Sequence, residues 1–580
     1  MSVIVTKAQQ QIKQAVADAA ALAHEKGALP TAELSDYAIE VPKDRAFGDY
    51  SINAAMVNSR TMRKSPRDIA AALIENINLD GTYFNRIEVA GPGFINLYIS
   101  DRYYADILLD INAQGDSYGR SDYGKGETFN VEFVSANPTG PMHMGNARGG
   151  ALGDCLAAVL DYAGYKVSRE FYVNDAGNQI DKFGLSLDIR YQQIFLGEDA
   201  VELPEDSYHG EDIKVRAAEY AEIHGDALMS VSEAERRKAL VDFALPKNID
   251  NMKATMAKYR IEYDTWFSER TLHSGDIKEV IDLLTAKGYT YEKEGALWYK
   301  NSVVLGDILR RQGKSEEEIE KLELKDEVLI RSNGNPTYFA ADIAYHRNKF
   351  AVRNFDHAID LWGADHHGHV ARMKGAMEAI GIDSRRLEIL LFQLVNLMRD
   401  GETVRMSKRT GKAITLTDLL EEIPIDAVRF LFNMREAGSV MDFDLDLAVE
   451  QSAQNPVYYC QYAHARICSI LNKLAADGVE IKACSAKQLE RLSAPEEREL
   501  IRHLSGLPAA IVSAAKSFDP VRVTHYVTEL ATLFHKFYNA CRVNVEDEDL
   551  MQARIMLCVC VRDTIKNVLN MLKITAPQSM

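Results

Sequence analysis

The chain is poor in cysteine and contains no long apolar run, and each absence excludes a class of protein. Its seven cysteines are odd in number and lack the paired C-x-x-C spacing of a structural zinc site. They are therefore expected to be reduced thiols. The sequence has no stretch of about 18 apolar residues, the length needed to cross a membrane. The segment from Met1 to Ile12 also lacks the apolar core of a signal peptide. We predict a cytoplasmic protein without a membrane partner.

Positive charge is also scarce, since 67 Lys and Arg residues stand against 85 Asp and Glu residues and the formal net charge is -18. Such a balance argues against a protein that coats nucleic acid through its overall field, although a local basic surface is still allowed. The chain nevertheless has 580 residues, of which 47% are hydrophobic. Its length suggests about three or four domains with ample core, and it excludes a peptide, a disulfide-stapled miniprotein and a disordered tail.

Residues 1–115 have the pattern of a small N-terminal α+β domain. Ser65 and Pro66 suit the cap and first residue of a helix, and Gly91-Pro92-Gly93 suits a turn between two strands. A polar, glycine-rich linker is predicted at Gln114–Glu127. The predicted elements are a helix over Lys7–Lys26 and strands over Arg86–Ala90 and Phe94–Ile99.

Residues 116–445 alternate short apolar strands with helical patterns, which is typical of a parallel, Rossmann-like α/β sheet. A charged, helix-favouring segment near 212–258 interrupts this alternation and is predicted to be a helical insertion beside the sheet. Strand patterns almost vanish beyond Asp446, so residues 446–580 are predicted to form a separate, all-helical bundle. The predicted strands are Phe129–Val134, Val167–Val173, Ala358–Trp362 and Leu387–Leu391.

The loop from Ser135 to Gly150 lies between a predicted strand and an Ala/Leu-rich helix. Such a loop sits at the carboxyl edge of a sheet and at a helix N-terminus, where free N–H groups favour phosphate. His143 can donate to phosphate oxygens, and Gly145 has no side chain to keep a flat base away from the backbone. The alternative is an ordinary strand-loop-helix connection with an incidental histidine.

A second segment, Arg405–Lys412, carries several cations on a glycine-bearing loop after a hairpin-like stretch at Asp400-Gly401. Cations on a mobile loop can stabilise the charge that develops on a polyphosphate as one bond breaks. Lys408 is the first candidate for that role. The alternative is a solvated loop, which is what a run of charges usually is.

Together, His143-Met-Gly145-Asn146 and Arg405-Met406-Ser407-Lys408 resemble the two ATP-binding motifs of class I aminoacyl-tRNA synthetases, in the order found in that family. Too few residues separate them for the large editing insert of the branched-chain enzymes. Further segments along the whole chain resemble the arginyl-tRNA synthetases, including an N-terminal domain and an anticodon-binding bundle. These segments are 48–50, 91–96, 131–138, 172–177, 363–368, 406–411 and 461–466.

This resemblance implies a ligase that uses ATP with Mg²⁺ to activate L-arginine as arginyl-adenylate and then transfers arginine to tRNA(Arg). It also implies that the enzyme acts as a monomer and holds no structural metal. Catalytic roles would fall to His143, Asn146 and Lys408. The residues implied for ATP are His143, Gly145, Asn146, Gly363, Asp365, Met406, Ser407 and Lys408, and those for arginine are Glu132, Asn137, Tyr338, Asp342 and His366.

The chemistry of arginine supports part of this assignment. A guanidinium presents five donors in a planar fork, so a selective pocket needs carboxylates and a fixed acceptor. Tyr338 and Asp342 are four residues apart and hence on one face of a predicted helix. The alternative for Asp342 is a carboxylate on the solvent face of that helix.

The chain departs from the family pattern at one site residue. The first motif usually ends in a second histidine, whereas this chain has Asn146, whose amide can donate a hydrogen bond but cannot become cationic. Family members that lack the lysine of the second motif tend to carry one just before the first motif. Gly140 occupies that position here, so Lys408 is expected to act on the phosphates alone.

Two further patterns have chemical interpretations that we disfavour. Asp365-His366-His367-Gly368-His369 could suggest a metal cluster, but adjacent histidines on a helix do not face one another. Gly119–Gly126 resembles a phosphate loop, but Gly126 replaces the hydroxyl residue that binds magnesium, and a strand follows where a helix is required.

In the C-terminal bundle, Tyr458, Tyr462 and Arg466 are spaced to share one helical face and are the candidates for tRNA binding. Stacking on unpaired anticodon bases and ordinary core packing explain the tyrosines equally well. Two alternatives to a ligase are a smaller nucleotidyltransferase of the same superfamily and a catalytically silent paralogue that binds RNA. The first would not need the terminal domains, and the intact His143, Lys408, Tyr338 and Asp342 argue against the second.

Overall fold

The computed structural model describes residues 2–404 and 414–580. The predictions made for Met406, Ser407 and Lys408 therefore lie outside the described residues. The predicted helices and strands outside that segment are present, and most of their ends lie within a few residues of the predicted ones. The predicted helix over Lys7–Lys26 runs over Val3–Glu25, for example, and the predicted strand over Phe94–Ile99 has those bounds.

The N-terminal part is an antiparallel sheet of four strands, in the order β1-β2-β4-β3, covered by helices. Ser65 accepts a hydrogen bond from the backbone of Asp68 and caps its helix as predicted, with Pro66 in the first turn. The elements are α1 (Val3–Glu25), β1 (Ile39–Glu40), β2 (Tyr50–Ile52), α2 (Ala54–Met62), α3 (Pro66–Asn76), β3 (Phe84–Ala90), β4 (Phe94–Ile99) and α4 (Asp101–Gln114).

The segment predicted as a linker is bound to the end of the helix Gly145–Tyr162 and to the turn that follows that helix. Its backbone donates from Ser121, Gly124 and Gly126 to the carbonyls of residues 162–164. A Cβ at Gly124 would come within 2.5 Å of the Tyr165 ring. The glycine is thus required for close packing, and the loop that resembles a phosphate loop makes a structural contact.

The central sheet has five parallel strands in the order β12-β11-β5-β6-β7. The chain moves outward from β5 through β6 to β7 and later returns to the other side of β5, so the strand order reverses between β5 and β11. Ligands of open α/β sheets bind in the crevice at such a point. The strands are β5 (Thr128–Glu132), β6 (Lys166–Val173), β7 (Thr265–Ser268), β11 (His357–Gly363) and β12 (Leu387–Phe392).

Helix α5 (Gly145–Tyr162) lies directly on this sheet and is buried along nearly its whole length. A Cβ at Gly153 would lie 2.2 Å from the Phe133 side chain, so only glycine allows the helix to approach the end of β5 this closely. The helix that follows the first motif is therefore held in a fixed position against the sheet.

The predicted insertion is helical and lies between β6 and β7. Its helices pack on α6 (Asn178–Leu196) around a separate hydrophobic cluster that includes Phe183, Leu187 and Tyr191. Ser232 and Glu235 form a reciprocal capping box at the start of the longer helix. The insertion comprises α7 (Glu211–His224) and α8 (Glu233–Lys258).

Two small sheets that the sequence analysis did not identify flank the central one. One contains β8 (Thr290–Lys293), β9 (Ala296–Tyr299) and β10 (Glu327–Ile330), and the other contains β13 (Val395–Arg399), β14 (Glu402–Val404) and β15 (Met441–Asp444). Asp400 and Gly401 both have positive φ and turn the hairpin between β13 and β14, as predicted. The helices of this region are α9 (Asp276–Ala286), α10 (Asn301–Arg311), α11 (Glu316–Glu320), α12 (Tyr338–Arg347), α13 (His367–Ile380), α14 (Leu416–Glu422), α15 (Ile425–Phe432) and α16 (Leu445–Val449).

The C-terminal part is helical, as predicted, but its core does not separate from the rest. One hydrophobic cluster runs from Ala8 through the central sheet to Ile574. Arg429 of α15, which is fully buried, donates to the carbonyl of Leu572 at 2.7 Å. The helices are α17 (Pro456–Ala476), α18 (Ala486–Leu489), α19 (Pro495–Ser505), α20 (Leu507–Ser517), α21 (Val521–Ala540) and α22 (Glu548–Met571).

The N-terminal and C-terminal parts also contact each other. Arg502 of α19 donates to the Tyr104 hydroxyl of α4 at 2.8 Å, and Arg498 forms an ion pair with Asp101. The buried Tyr118 hydroxyl donates to the carbonyl of Leu504 at 2.7 Å. The bundle therefore contacts the N-terminal part on one side and the central sheet with its helices on another.

Candidate functional site

The predicted site residues lie at the carboxyl edge of the central sheet, around the point where the strand order reverses. Glu132 ends β5, Asp175 follows β6, Glu269 follows β7, and Gly363 ends β11. Parallel strands present these positions on the same edge. The structure thus groups carboxylate residues from three strands, with Gly363 from the fourth, at one edge of the sheet.

The first motif forms a tight turn at the start of α5. The backbone N–H of Gly145 donates to Nδ1 of His143 at 3.2 Å, and the backbone N–H of His143 donates to the side-chain oxygen of Asn146 at 3.1 Å. With Nδ1 as the acceptor, a neutral His143 ring carries its proton on Nε2. A Cβ at Gly145 would meet only the His143 ring, so open space lies on that side.

The first motif is paired with the residues that follow the second one. His143 forms a bridge with Thr415, the Met144 N–H donates to the Ile414 carbonyl at 3.1 Å, and the Leu416 N–H donates to the Met142 carbonyl at 2.9 Å. Val404 lies immediately before residues 405–413, which contain the second motif, and it pairs with Leu397 in the β13–β14 hairpin. The described residues on both sides of the second motif are therefore anchored, and one of them contacts the first motif.

Arg148, one turn into α5, ties this helix to the sheet edge. Its fully buried guanidinium donates to the carbonyls of Gln393, Glu436 and Ser439 at 2.8–2.9 Å. Burial lowers the pKa of Arg148, and no carboxylate in the described part of the chain pairs with it. The contacted segments lead into β13 and β15, so Arg148 links the start of α5 to the sheet that carries the β13–β14 hairpin.

Glu132 is buried and its carboxylate is held on both sides. One oxygen accepts from the Ser135 hydroxyl at 2.9 Å, and the other accepts from the Lys349 ammonium at 2.7 Å. Val134 and Ser135 have φ values of 73° and 42°, a left-handed conformation that costs a β-branched residue about 1–3 kcal/mol. This strained turn brings the Ser135 hydroxyl back to Glu132.

Behind Glu132 lies a buried charge network. Lys349 also donates to Asp360 at 2.6 Å, and Nε2 of His346 lies 2.6 Å from the other Asp360 oxygen. Burial opposes ionisation of Asp360, but Lys349 and His346 together hold its pKa below the usual range. Burial raises the pKa of Glu132, and Lys349 opposes that shift.

Asp342 and Tyr338 share one face of α12, as predicted. Asp342 is about one-third exposed, with a side-chain exposure of 34%, and lies 3.1 Å from Nε2 of His369. The Tyr338 ring lies against Gly177, where a Cβ would sit 3.6 Å from the ring. The segment 172–177 therefore meets α12 at the site.

Glu269 is a second carboxylate beside Asp342, and the sequence analysis missed it. Burial raises its pKa to about 7; Tyr172 opposes the shift, and Asp342 and Asp175 add to it. His273 lies 3.6 Å from this carboxylate. Within residues 2–404 and 414–580, no lysine or arginine forms an ion pair with either Asp342 or Glu269. Two neighbouring carboxylates without a strong cation are suited to a cationic ligand.

Other predicted residues are more exposed. Asn137 is exposed, and the side chains of Asp365 and His366 are 80% and 60% exposed. His366 lies 3.6 Å from Asp365 and contacts the Trp362 ring, whereas it is His369 that contacts Asp342. In the part of the chain that the structure describes, no three His, Cys, Asp or Glu side chains converge as metal ligands.

Tyr458, Tyr462 and Arg466 form a half-buried ladder on α17. The two tyrosine rings are stacked at 6.3 Å, and Tyr462 stacks on His535 of α21. Arg466 donates to the Tyr462 hydroxyl at 2.7 Å and lies over the Tyr538 ring. These rings stack at the edge of the bundle, whereas Tyr459 on the neighbouring face packs against the core.

Sequence signals existed for some of the residues that were missed. Asp360 and Glu170 are charged residues inside predicted apolar strands, and a buried carboxylate requires a partner. Their partners, Lys349 and Arg353, belong to a segment that no motif marks. Asn348–Val352 forms a π-helical turn, a feature frequent at functional sites, and that turn places Lys349 beside Asp360 and Glu132, while Arg353 after it pairs with Glu170.

Comparison with known proteins agrees with this architecture. Three family models match the chain: "Arginyl tRNA synthetase N terminal domain" at residues 6–99, "tRNA synthetases class I (R), catalytic domain" at 109–470 and "DALR anticodon binding domain" at 460–580. Among solved structures, the arginyl-tRNA synthetase of Thermus thermophilus has a TM-score of 0.68 at 21% identity, covering 98% of this chain and 100% of that one. At that identity the likeness concerns the fold.

Two curated relatives are much closer in sequence. An arginine–tRNA ligase of Ruminiclostridium cellulolyticum is 52% identical over 581 residues, and one of Acetivibrio thermocellus is 51% identical over 581 residues. In both comparisons 100% of this chain and 100% of the relative are covered. No helix within the described ranges is sufficiently long and apolar to span a bilayer.

Proposed function

This chain belongs to the arginyl-tRNA synthetases and is an arginine–tRNA ligase, and on that premise we propose which side chains bind each substrate. ATP and L-arginine give arginyl-adenylate and pyrophosphate, and arginine then passes to its tRNA. The arginine carboxylate is itself the nucleophile toward the α-phosphate. The protein therefore contributes mainly by positioning the reactants and stabilising charge.

The arginine pocket is proposed to lie at the carboxyl ends of β5 and β7 and on α12. Asp342 and Glu269 face the guanidinium, with Tyr338 beside them. Glu132, Asn137 and His366 bind the remaining groups, as the family resemblance implies. The observation that supports this assignment best is the pair of neighbouring carboxylates, Asp342 and Glu269, with no lysine or arginine ion pair in the described residues.

The ATP site is proposed at the start of α5. The Nε2–H of His143 donates to a phosphate oxygen, and the positive end of the α5 dipole favours the same charge. Gly145 leaves room for the base. Gly363 and Asp365, at the end of β11, approach the nucleotide, with Asp365 near the ribose.

ATP is proposed to enter as its magnesium complex. Met406, Ser407 and Lys408 complete the phosphate site from the second motif, with Lys408 as its main cation. The bridge between His143 and Thr415 supports this arrangement. Thr415 lies just two positions after residues 405–413, and the bridge places it next to the first motif.

The tRNA is proposed to stack anticodon bases on the ladder of Tyr458, Tyr462 and Arg466. The half-exposed rings support stacking over core packing. We also propose that the protein acts as a monomer in the cytoplasm. The proposed domain boundaries are 1–115, 116–445 and 446–580, with a helical insertion near 212–258.

The arginine pocket is tested by Asp342→Asn, which keeps the shape of the side chain and removes its charge. Loss of one charged hydrogen bond costs about 2 kcal/mol, so KM for arginine should rise roughly thirtyfold. KM for ATP should stay within twofold, and discrimination against the uncharged analogue citrulline should fall. The matched control is Asp282→Asn, because the Asp282 side chain is exposed on α9. An unchanged KM for arginine would place Asp342 outside the pocket.

A further inference from the structure

Lys349 is a fully buried lysine that contacts two carboxylates. Its Nζ lies 2.7 Å from Glu132 and 2.6 Å from Asp360, and 4.3 Å from the centre of the Tyr345 ring. Burying a charge this completely is costly, so the position is retained only where the partners compensate. Asp360 by itself would supply Lys349 with an anionic partner, so the second contact, with Glu132, needs an explanation of its own.

The contact with Glu132 fixes one specific orientation. Lys349 approaches the Glu132 carboxylate at Oε2, while Ser135 occupies Oε1. Each carboxylate oxygen can accept a second hydrogen bond. Held at both oxygens, the carboxylate has no freedom to rotate, and its remaining acceptor sites keep a constant direction.

The network also reaches the other wall of the pocket. Asp360 contacts His346 Nε2 at 2.6 Å, and Nδ1 of the same ring lies 2.7 Å from the carbonyl of Asp342. Asp360 belongs to β11, Glu132 to β5 and Asp342 to α12. One buried chain of contacts thus connects Glu132 and Asp342, two of the three carboxylate residues proposed to bind arginine.

We propose that Lys349 is a positioning residue for aminoacylation: with Asp360 behind it, it orients the Glu132 carboxylate toward the cationic arginine. This inference rests on the proposed role of Glu132. Lys349 does not touch the substrate in this scheme. Asp360 fixes Lys349, and His346 fixes Asp360.

Several ionisable groups act on Glu132, and the test must take them into account. Besides Lys349, Asp360 and His346, these are Arg353 and three tyrosines, Tyr172, Tyr263 and Tyr345. Burial and Asp360 favour the protonated form of Glu132, and Lys349 is the nearest group that opposes them. Removing Lys349 therefore raises the pKa of Glu132 further, and arginine binding is lost at a higher pH than in the parent.

The experiment compares Lys349→Met, the double variant Lys349→Met/Asp360→Asn, Glu132→Gln and the control Lys278→Met. The double variant removes one positive and one negative charge, so it decides the question if Lys349→Met alone does not fold. Lys278 is exposed on α9 and pairs only with Asp282 among the described residues. KM values for arginine and ATP are measured between pH 6 and about pH 9, spanning the ionisation range of a raised carboxyl group.

The proposal predicts at least a tenfold rise in KM for arginine in the double variant, with KM for ATP within twofold of the parent. The acid limb of kcat/KM for arginine should move up by about one to three pH units in Lys349→Met, the shift that an opposite charge at this distance produces. The shift should be smaller in the double variant, because that variant also removes the opposing charge of Asp360. If Lys349 had only a structural role, its loss would lower kcat and the stability of the fold but would not move the acid limb. Lys278→Met should match the parent.

Two contrary results are distinguishable. If Glu132→Gln raises KM for arginine but the double variant has the parental KM and acid limb, the positioning role of Lys349 is wrong and the proposed pocket stands. If Glu132→Gln leaves KM for arginine unchanged, the proposed role of Glu132 is wrong and the inference about Lys349 falls with it.

Discussion

The side-chain oxygen of Asn146 accepts a hydrogen bond from the backbone N–H of His143 at 3.1 Å. The residue that replaces the usual second histidine of the motif therefore holds the turn that carries the first one. In the proposed ATP site, its amide nitrogen donates toward the nucleotide. Asn146 would then combine a structural contact with a contact to substrate.

We expect Asn146→Ala to lower the rate of ATP–pyrophosphate exchange about five- to tenfold, because one neutral hydrogen bond contributes about 1 kcal/mol. Asn146→Asp keeps the acceptor but places a negative charge beside the phosphates, so it should reduce the rate further. Asn78→Ala is the control, since Asn78 is exposed in the N-terminal domain and accepts from the Asp80 backbone. An Asp variant faster than the Ala variant would contradict this account.

Lys408 is predicted to stabilise the transition state of adenylation rather than to bind arginine. Lys408→Ala should lower the exchange rate at least about tenfold while leaving arginine affinity nearly unchanged, since a contact specific to the transition state contributes about 1.4 kcal/mol or more. Lys412→Ala removes the same charge from the same segment and should have a smaller effect. Equal rates for the Lys408 variant and the parent would refute the assignment.

The raised pKa of Glu269 predicts that arginine binding is coupled to the release of a proton. Burial raises its pKa to about 7 from the ordinary value of 4.5. A bound guanidinium favours the ionised form, so between these two pH values arginine binding should release up to about one proton. Affinity should therefore increase as the pH rises toward about 7 and level off above it.

This linkage is measured by calorimetry in buffers of different ionisation enthalpy. Glu269→Gln should abolish the release and flatten the pH dependence, whereas Glu292→Gln, exposed on β8, should not. The free energy of unfolding should depend on pH in the opposite direction to arginine affinity. Because the folded pKa is raised, the parent binds more protons folded than unfolded below about pH 7 and should gain stability relative to Glu269→Gln as the pH falls. Arginine binding without proton release near pH 6 would contradict this role.

Binding of tRNA should depend steeply on salt even though the net charge is -18. Each phosphate neutralised by a local cation releases counterions, and the log-log slope approximates the number of such contacts. Arg466→Gln should weaken tRNA binding and reduce this slope by about one if it contacts a phosphate. Arg385→Gln, exposed beside Asp383, is the control. A slope that is flat from low to high salt would contradict tRNA binding through local cations.

The central sheet could be predicted because short segments rich in aliphatic and aromatic residues alternate with helical patterns along residues 116–445. Val167–Val173 and Leu387–Leu391 illustrate this, and each differs from the observed strand by one residue at one end. The short β7 (Thr265–Ser268) could not be recognised in the same way, because four half-buried residues give no periodicity.

The site could be predicted where residues are close in sequence. Tyr338 and Asp342 are one helical turn apart, so spacing alone places them together. Glu269 and Asp342 come from a strand end and a helix that only the tertiary fold brings together. Lys349 depends in addition on a π-helical turn, which sequence patterns do not indicate.

Because the hydrophobic core is continuous between the central sheet and the C-terminal bundle, the two should fold and unfold as one unit. Besides Arg429, the buried Thr524 hydroxyl of α21 donates to the carbonyl of Asn433, just after α15. Unfolding the bundle would remove one partner from the Arg429 guanidinium and one from the Asn433 carbonyl, and it would expose a broad apolar surface. Heating should therefore melt the protein in one cooperative step, and proteases should not release an intact adenylating fragment. A lesion in the tail would then appear first as a loss of the whole enzyme rather than as a selective defect in choosing tRNA.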